Sequence, residues 1–157
     1  MVSKINIAEF RERLNKNTKY GNPKIKGSPF GVLFIFSESD KIFFGTYDKN
    51  KFALTKNFIT KITPFIISGE IHAKDNHNTE VNYEIKPIGF GYYWMKYFPF
   101  LVIPISNLIL YQDSAPLEMF ELINTFIIAM IIFIYFNMKF KKNKLEKDFK
   151  RIFEIET

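Results

Sequence analysis

The polarity pattern along the chain changes character three times. Around residues 5–17, Ile7, Phe10 and Leu14 share one stripe at helical spacing, and Glu9, Arg11, Glu12 and Arg13 cover the remainder. This predicts a short amphipathic helix. Asn6 is placed to cap it, with Glu9 three residues on completing a capping-box-like pair. "YGNPKIKGSP" (20–29) then breaks the helix with Gly, Pro and Asn.

Strand patterns follow. "FGVLFIF" (30–36), "KIFFGTY" (41–47), "KFALTKN" (51–57), "ITPFIISGEIHAK" (62–74) and "TEVNYEIK" (79–86) read as strands, with turns at "DKN" and "KDNHN". Pro64 sets the start of the fourth at an edge or bulge. The last strand alternates most clearly. Thr79, Val81, Tyr83 and Ile85 face one side, and Glu80, Asn82, Glu84 and Lys86 the other. Such alternation means one covered face and one wet face. The expectation is an antiparallel sheet of about five strands, with the terminal helices as its cover.

From Ile88 the chain becomes apolar. Phe90 to Tyr111 is interrupted only by Lys96, Ser106 and Asn107; "QDSAPLEMFE" (112–121) is an acidic break; "LINTFIIAMIIFIYFNM" (122–138) carries no charge. At about 1.5 Å per residue, Leu122–Met138 covers about 26 Å of a hydrocarbon core about 30 Å thick. Leu117, Met119 and Phe120 extend it when Glu118 and Glu121 sit at the interface. Tyr92–Tyr111 covers about 30 Å but encloses Lys96, one turn from its start, where a lysine snorkels to the headgroups. Tyr92, Tyr93, Trp94 and Tyr97 are residue types enriched at that interface. Counted from Tyr97 the segment shrinks to about 22 Å, so a re-entrant segment is the alternative to a full span. Pro104 predicts a kink. The final "KFKKNKLEKDFKRIFEIET" (139–157) is basic, and Leu145, Phe149, Ile152 and Phe153 give it the stripe of an amphipathic helix docked on the sheet.

Charge adds an orientation. The net charge is +6, from 22 Lys/Arg and 16 Asp/Glu. Residues 1–87 hold 14 basic and 9 acidic residues, 88–121 hold Lys96 against Asp113, Glu118 and Glu121, and 122–157 hold 7 basic and 4 acidic. Base flanks an acidic tip, so the positive-inside rule puts the tip outside and both termini in the cytoplasm. The first twenty residues contain no apolar stretch of the secretory type, which agrees. A nucleic-acid binder would instead gather its base in one patch interleaved with exposed aromatics. Lys139, Lys141, Lys142 and Lys144 lie just cytoplasmic of the second span, as a topology signal or as a contact for anionic lipid.

Candidate chemistry is sparse. The chain has no Cys, which excludes disulfides and thiol catalysis. The high Phe, Ile, Lys and Asn usage fits A/T-rich coding, so the aromatic excess does not argue for a ligand site. His72, Asp75 and His77 have no geometry that makes them converge as metal ligands. "DNHNTE" (75–80) lacks the glycine of a calcium loop. No serine has a nucleophile-elbow setting, and Gly89 and Gly91 make only a lone G-x-G. No catalytic residue, cofactor or metal ligand is assigned.

One resemblance rests on Glu9-Phe10 with Arg13-Leu14; Phe44-Gly45 with Phe52 and Leu54; Pro64, Ile67, Gly69 and Ile71; and Thr79, Val81 and Ile85. In these residues the chain resembles small bacterial two-span membrane proteins of unassigned function with a cytoplasmic sheet domain. More loosely, it is similar to membrane-anchored domains of the pleckstrin-homology type, a bent sheet capped by a C-terminal helix; this likeness transfers no site. The resulting expectation is an α+β membrane protein of the cell (inner) membrane. A helix and sheet occupy 1–87, a transmembrane hairpin 88–138 (spans about 92–111 and 120–138, external loop 112–119), and a basic amphipathic helix 139–157 rejoins the sheet. Its expected role is a non-enzymatic interaction or scaffold module that meets the lipid bilayer and a protein partner or a second copy. The alternatives are an anionic-lipid sensor and an accessory subunit of a membrane enzyme.

Overall fold

The structure is a computed structural model that describes residues 1–26, 40–57 and 63–156. In chain order the elements are β1 (Val2–Ser3), α1 (Ile7–Asn17), β2 (Thr18–Tyr20), the single turn α2 (Pro23–Lys26), β3 (Phe43–Tyr47), β4 (Lys51–Lys56), β5 (Phe65–Ala73), β6 (Thr79–Pro87), α3 (Gly89–Gln112) and α4 (Leu117–Ile152). The fold is α+β, and α3 and α4 are both long and apolar enough to cross a membrane.

Among the described residues the sheet has six strands in the order β1-β6-β5-β4-β3-β2. This corrects the expectation of about five antiparallel strands. β3 to β6 pair antiparallel, but β2 pairs parallel with β3, Thr18 against Phe43 and Tyr20 against Gly45. A helix stands between β1 and β2, so the chain leaves one sheet edge and rejoins at the other. The predicted strand at 30–36 and the first residue of the one at 62–74 lie outside the described residues. β5 begins at Phe65, directly after Pro64, whose missing N–H is then not demanded by the ladder.

On β6 the alternation is as read. Thr79 and Val81 are buried, Tyr83 and Ile85 half-buried, and Glu80, Asn82, Glu84 and Lys86 exposed. The covered face receives α1 and the end of α4. Asn6 caps α1, its Oδ1 accepting from Glu9 N at 2.9 Å. The reciprocal half of the capping box is replaced, because the Glu9 carboxylate takes Arg13 at 2.6 Å. Phe10 and Leu14 are fully buried.

Aromatic rings build the centre of this core. Phe153 stacks on Phe10 at 4.4 Å and lies 4.9 Å from Phe149, which in turn lies 5.1 Å from Phe52. Burying each such ring contributes about 1.5–3 kcal/mol. The C-terminal residues are stitched to the N-terminal ones. Lys4 N donates to Glu154 O, Glu156 N donates to Val2 O, and Ser3 Oγ donates to Phe153 O. Arg13 Nη1 donates to Ile152 O at 2.7 Å, satisfying a carbonyl at the end of α4.

α4 differs from expectation in extent. It is a single 36-residue helix, about 54 Å long. The predicted amphipathic helix at 139–157 is its last third. No Gly or Pro interrupts Leu117–Ile152, so nothing ends the helix where the composition turns basic. α3 likewise runs through Pro99 and Pro104. The connection between α3 and α4 is only Asp113–Pro116, shorter than the expected loop 112–119.

Candidate membrane-interface site

Three elements meet where the paired helices join the sheet domain. Ile88 is buried, and its N–H donates to Pro64 O at 2.8 Å, pinning the start of α3 to the start of β5. Tyr92 follows one turn later, its ring edge-on to Phe65 at 5.5 Å. From the other side comes α4, with Met138 buried against the same core.

Between them lies a cleft of about 540 Å³. Its apolar wall includes Phe65, Phe100, Ile131, Ile134, Tyr135 and Met138, and three lysines line it: Lys96 from α3, and Lys139 and Lys142 from α4. Lys96 Nζ lies 5.1 Å from the Tyr97 ring centre and 5.9 Å from that of Tyr92. Such cation–π contacts hold an ammonium beside aromatic faces. Lys139 and Lys142 take part in no ion pair among the described residues.

The nearby acids are already engaged. Glu146 stands four residues after Lys142, in position for a helical ion pair. It accepts instead from Lys150 at 3.1 Å and from the Tyr83 hydroxyl at 3.1 Å. Burial, and then the Glu146 charge, push the Tyr83 phenol up, so it stays a donor. Asp148 is held by Lys56 and by Arg151.

The expected interface residues thus separate. Lys96, Lys139, Lys142 and Tyr92 come together in the cleft. Tyr93, Trp94 and Tyr97 are exposed on α3. There Phe90, Trp94 and Phe98 stack in sequence at 5.3 and 4.4 Å, beside a Tyr93–Tyr97 stack at 6.2 Å. Lys141 lies against Thr63, Pro64 and Leu145 in a separate small depression, and Lys144 lies 6.0 Å from the Phe140 ring centre. His72 sits 3.7 Å from Glu70, and Asp75 accepts from the backbone of His77 and Asn78 to close its turn. Sequence reasoning missed the apolar lining of the cleft, Phe100, Ile131, Ile134 and Tyr135, because outward-facing and cleft-facing apolar residues look alike in a segment with no polar stripe.

The chain matches no protein-family model, no curated protein and no solved structure.

Proposed function

We propose that this is an integral protein of the cell (inner) membrane. α3 and α4 cross as a hairpin, Asp113–Pro116 emerges outside, and the α+β domain and both termini lie at the cytoplasmic face. The domain acts there as a non-enzymatic interaction or scaffold module.

One observation carries the reading: the two-sided character of α4. Over its first part Phe126, Phe133 and Phe136 are exposed by 61–70%. Over its last part Leu145 and Phe149 are in the core of the sheet domain at 2% or less. In water the first part would leave an apolar patch far larger than a soluble monomer carries. Phe120–Met138 covers about 28 Å of a bilayer core about 30 Å thick and ends immediately before Lys139, the first lysine of α4. Lys139, Lys141, Lys142 and Lys144 at the domain end of the helices, against no Lys or Arg in Asp113–Pro116, favour the stated orientation.

The interaction role draws on the wet face of the sheet, where Thr46, Lys51, Ala53, Ser68, Glu70 and Glu84 line an open groove with both charge signs. Because α4 is continuous, anything bound there is held at a fixed orientation to the membrane. The test is cross-linking in native membranes followed by detergent extraction. A discrete cross-linked species that disappears in Ser68→Arg supports the role; a chain that remains monomeric and uncross-linked counts against it. Release of the chain from membranes by alkaline carbonate would sink the integral-membrane reading itself.

A further inference from the structure

The cleft between α3, α4 and β5–β6 has the chemistry of a site for one anionic phospholipid. We propose that Lys96, Lys139 and Lys142 hold its phosphodiester and that one acyl chain lies along Phe100, Ile131, Ile134 and Tyr135. This rests on the reading that α3 and α4 span the membrane.

The argument begins with register. The side-chain pairing of Asn107 with Asn124 fixes the antiparallel alignment of the helices. Equal rise from that pair places Lys96 level with Tyr135, and Tyr92 level with Lys139. Counting about 20 residues from Tyr111 brings the inner hydrocarbon boundary near Tyr92. Lys96 therefore stands about one turn inside the apolar layer, and Lys139 and Lys142 stand at or below its edge. The three lysines line the cleft from its two helices, and Lys96, on its long stem, reaches from inside the apolar layer toward the headgroup depth at which Lys139 and Lys142 stand.

An ammonium inside the apolar layer is costly unless it has a partner. Among the described residues Lys96 has tyrosine rings and no carboxylate, while Glu146 and Asp148, the acids nearest along α4, are committed to Lys150, Tyr83, Lys56 and Arg151. The cleft thus holds three cations and no acidic lining residue. A phosphodiester supplies the missing charge, and the attached acyl chain matches the apolar wall above it. A soluble anion would leave that wall uncovered. A protein segment would have to bring acidic side chains to headgroup depth and apolar ones beyond it, which a phospholipid does by construction.

The test uses the full chain in a neutral detergent, titrated with dioleoyl phosphatidylglycerol or dioleoyl phosphatidylcholine and read by native mass spectrometry. The expected result is one phosphatidylglycerol retained per chain, about tenfold or more tighter than phosphatidylcholine. Lys96→Gln with Lys139→Gln and Lys142→Gln should remove that preference. Ile134→Trp, which fills the apolar wall, should displace the lipid while all three lysines remain. Lys144→Gln, one charge removed outside the cleft, should alter binding less than twofold, and Lys142→Gln alone, one charge removed inside it, clearly more. Equal losses in these two single variants would overturn the site in favour of diffuse surface charge. Competition by free glycerol phosphate as strong as by the lipid would overturn it in favour of a simple anion site. If the chain stays soluble without detergent, the membrane reading fails and takes this site with it; if it is membrane-integral but binds both lipids equally, only the lipid site fails.

Discussion

Asn107 and Asn124 exchange two hydrogen bonds, each side-chain amide donating to the other's carbonyl oxygen at 2.9 Å. Asn107 also donates to Ile103 O one turn back, at 2.7 Å. They pair across facing segments made mostly of apolar residues, so the pair favours one register of α3 against α4. Asn107→Leu should leave the Asn124 amide unpaired among apolar side chains and weaken the hairpin by about 1–2 kcal/mol. The double variant Asn107→Leu/Asn124→Leu should recover part of that loss, since no polar group is then stranded. Steric trapping in bicelles measures both; additive losses would mean that the pair is not coupled.

Phe153 anchors α4 to the domain. It is fully buried against Phe10, Phe43 and Phe149. Phe153→Ala should cost about 3–5 kcal/mol, read as a lower thermal midpoint of the sheet signal in circular dichroism. Ending the chain after Phe140 should abolish the domain fold altogether, because Leu145, Phe149, Phe153 and Ile155 belong to its core. A folded 1–140 fragment would contradict the shared core.

Gly45 permits the close approach of β3 and β4. A Cβ there would lie 2.0 Å from Ala53 O and 2.9 Å from Leu54 Cα. Both are backbone atoms that move only if the strands separate. Gly45→Ala should therefore destabilise the domain by about 1–3 kcal/mol, measured by urea unfolding in detergent; a neutral effect would show that β3 can shift freely.

Two aspartates close the hairpin turns. Asp48 accepts from the backbone of Asn50 and Lys51, which holds its carboxyl below the ordinary value; Asp75 is lowered likewise, first by the Asn78 side chain and then by His77 N. For a carboxyl lowered in the folded state, the stabilisation is present above the unfolded value of about 4 and is lost as pH falls through the folded one. Stability should thus decline below about pH 4, and Asp48→Asn with Asp75→Asn should flatten that decline. An unchanged acid limb in the double variant would remove the turns from the account.

Much of this was legible in the sequence, and the failures have physical causes. The alternation of Thr79–Lys86 and the stripe of Leu145, Phe149 and Phe153 reported burial directly, because one covered face imposes a period. β1 and β2 were invisible, since two and three residues carry no period. The parallel pairing of β2 with β3 joins segments separated in sequence by the stretch read as a strand at 30–36, and hairpin logic, which pairs successive strands antiparallel, offers no guidance there. The sharp change of composition at Lys139 suggested an element boundary, yet a helix ends at caps and breakers, and none occurs before Phe153. Lys96, Lys139 and Lys142 were identifiable by type and position; their meeting in one cleft was not, because it follows from the register that Asn107 and Asn124 set.

Topology is the central claim, and the absence of native cysteine makes it directly measurable. Single cysteines are placed by Ser114→Cys in the turn between α3 and α4, by His77→Cys in the β5–β6 turn and by Glu156→Cys near the end of the chain, and intact cells are treated with a membrane-impermeant maleimide. The account predicts labelling of Ser114→Cys in intact cells, and of His77→Cys and Glu156→Cys only after permeabilisation. Protection of Ser114→Cys in intact cells, with labelling on permeabilisation like the other two, would contradict a spanning hairpin.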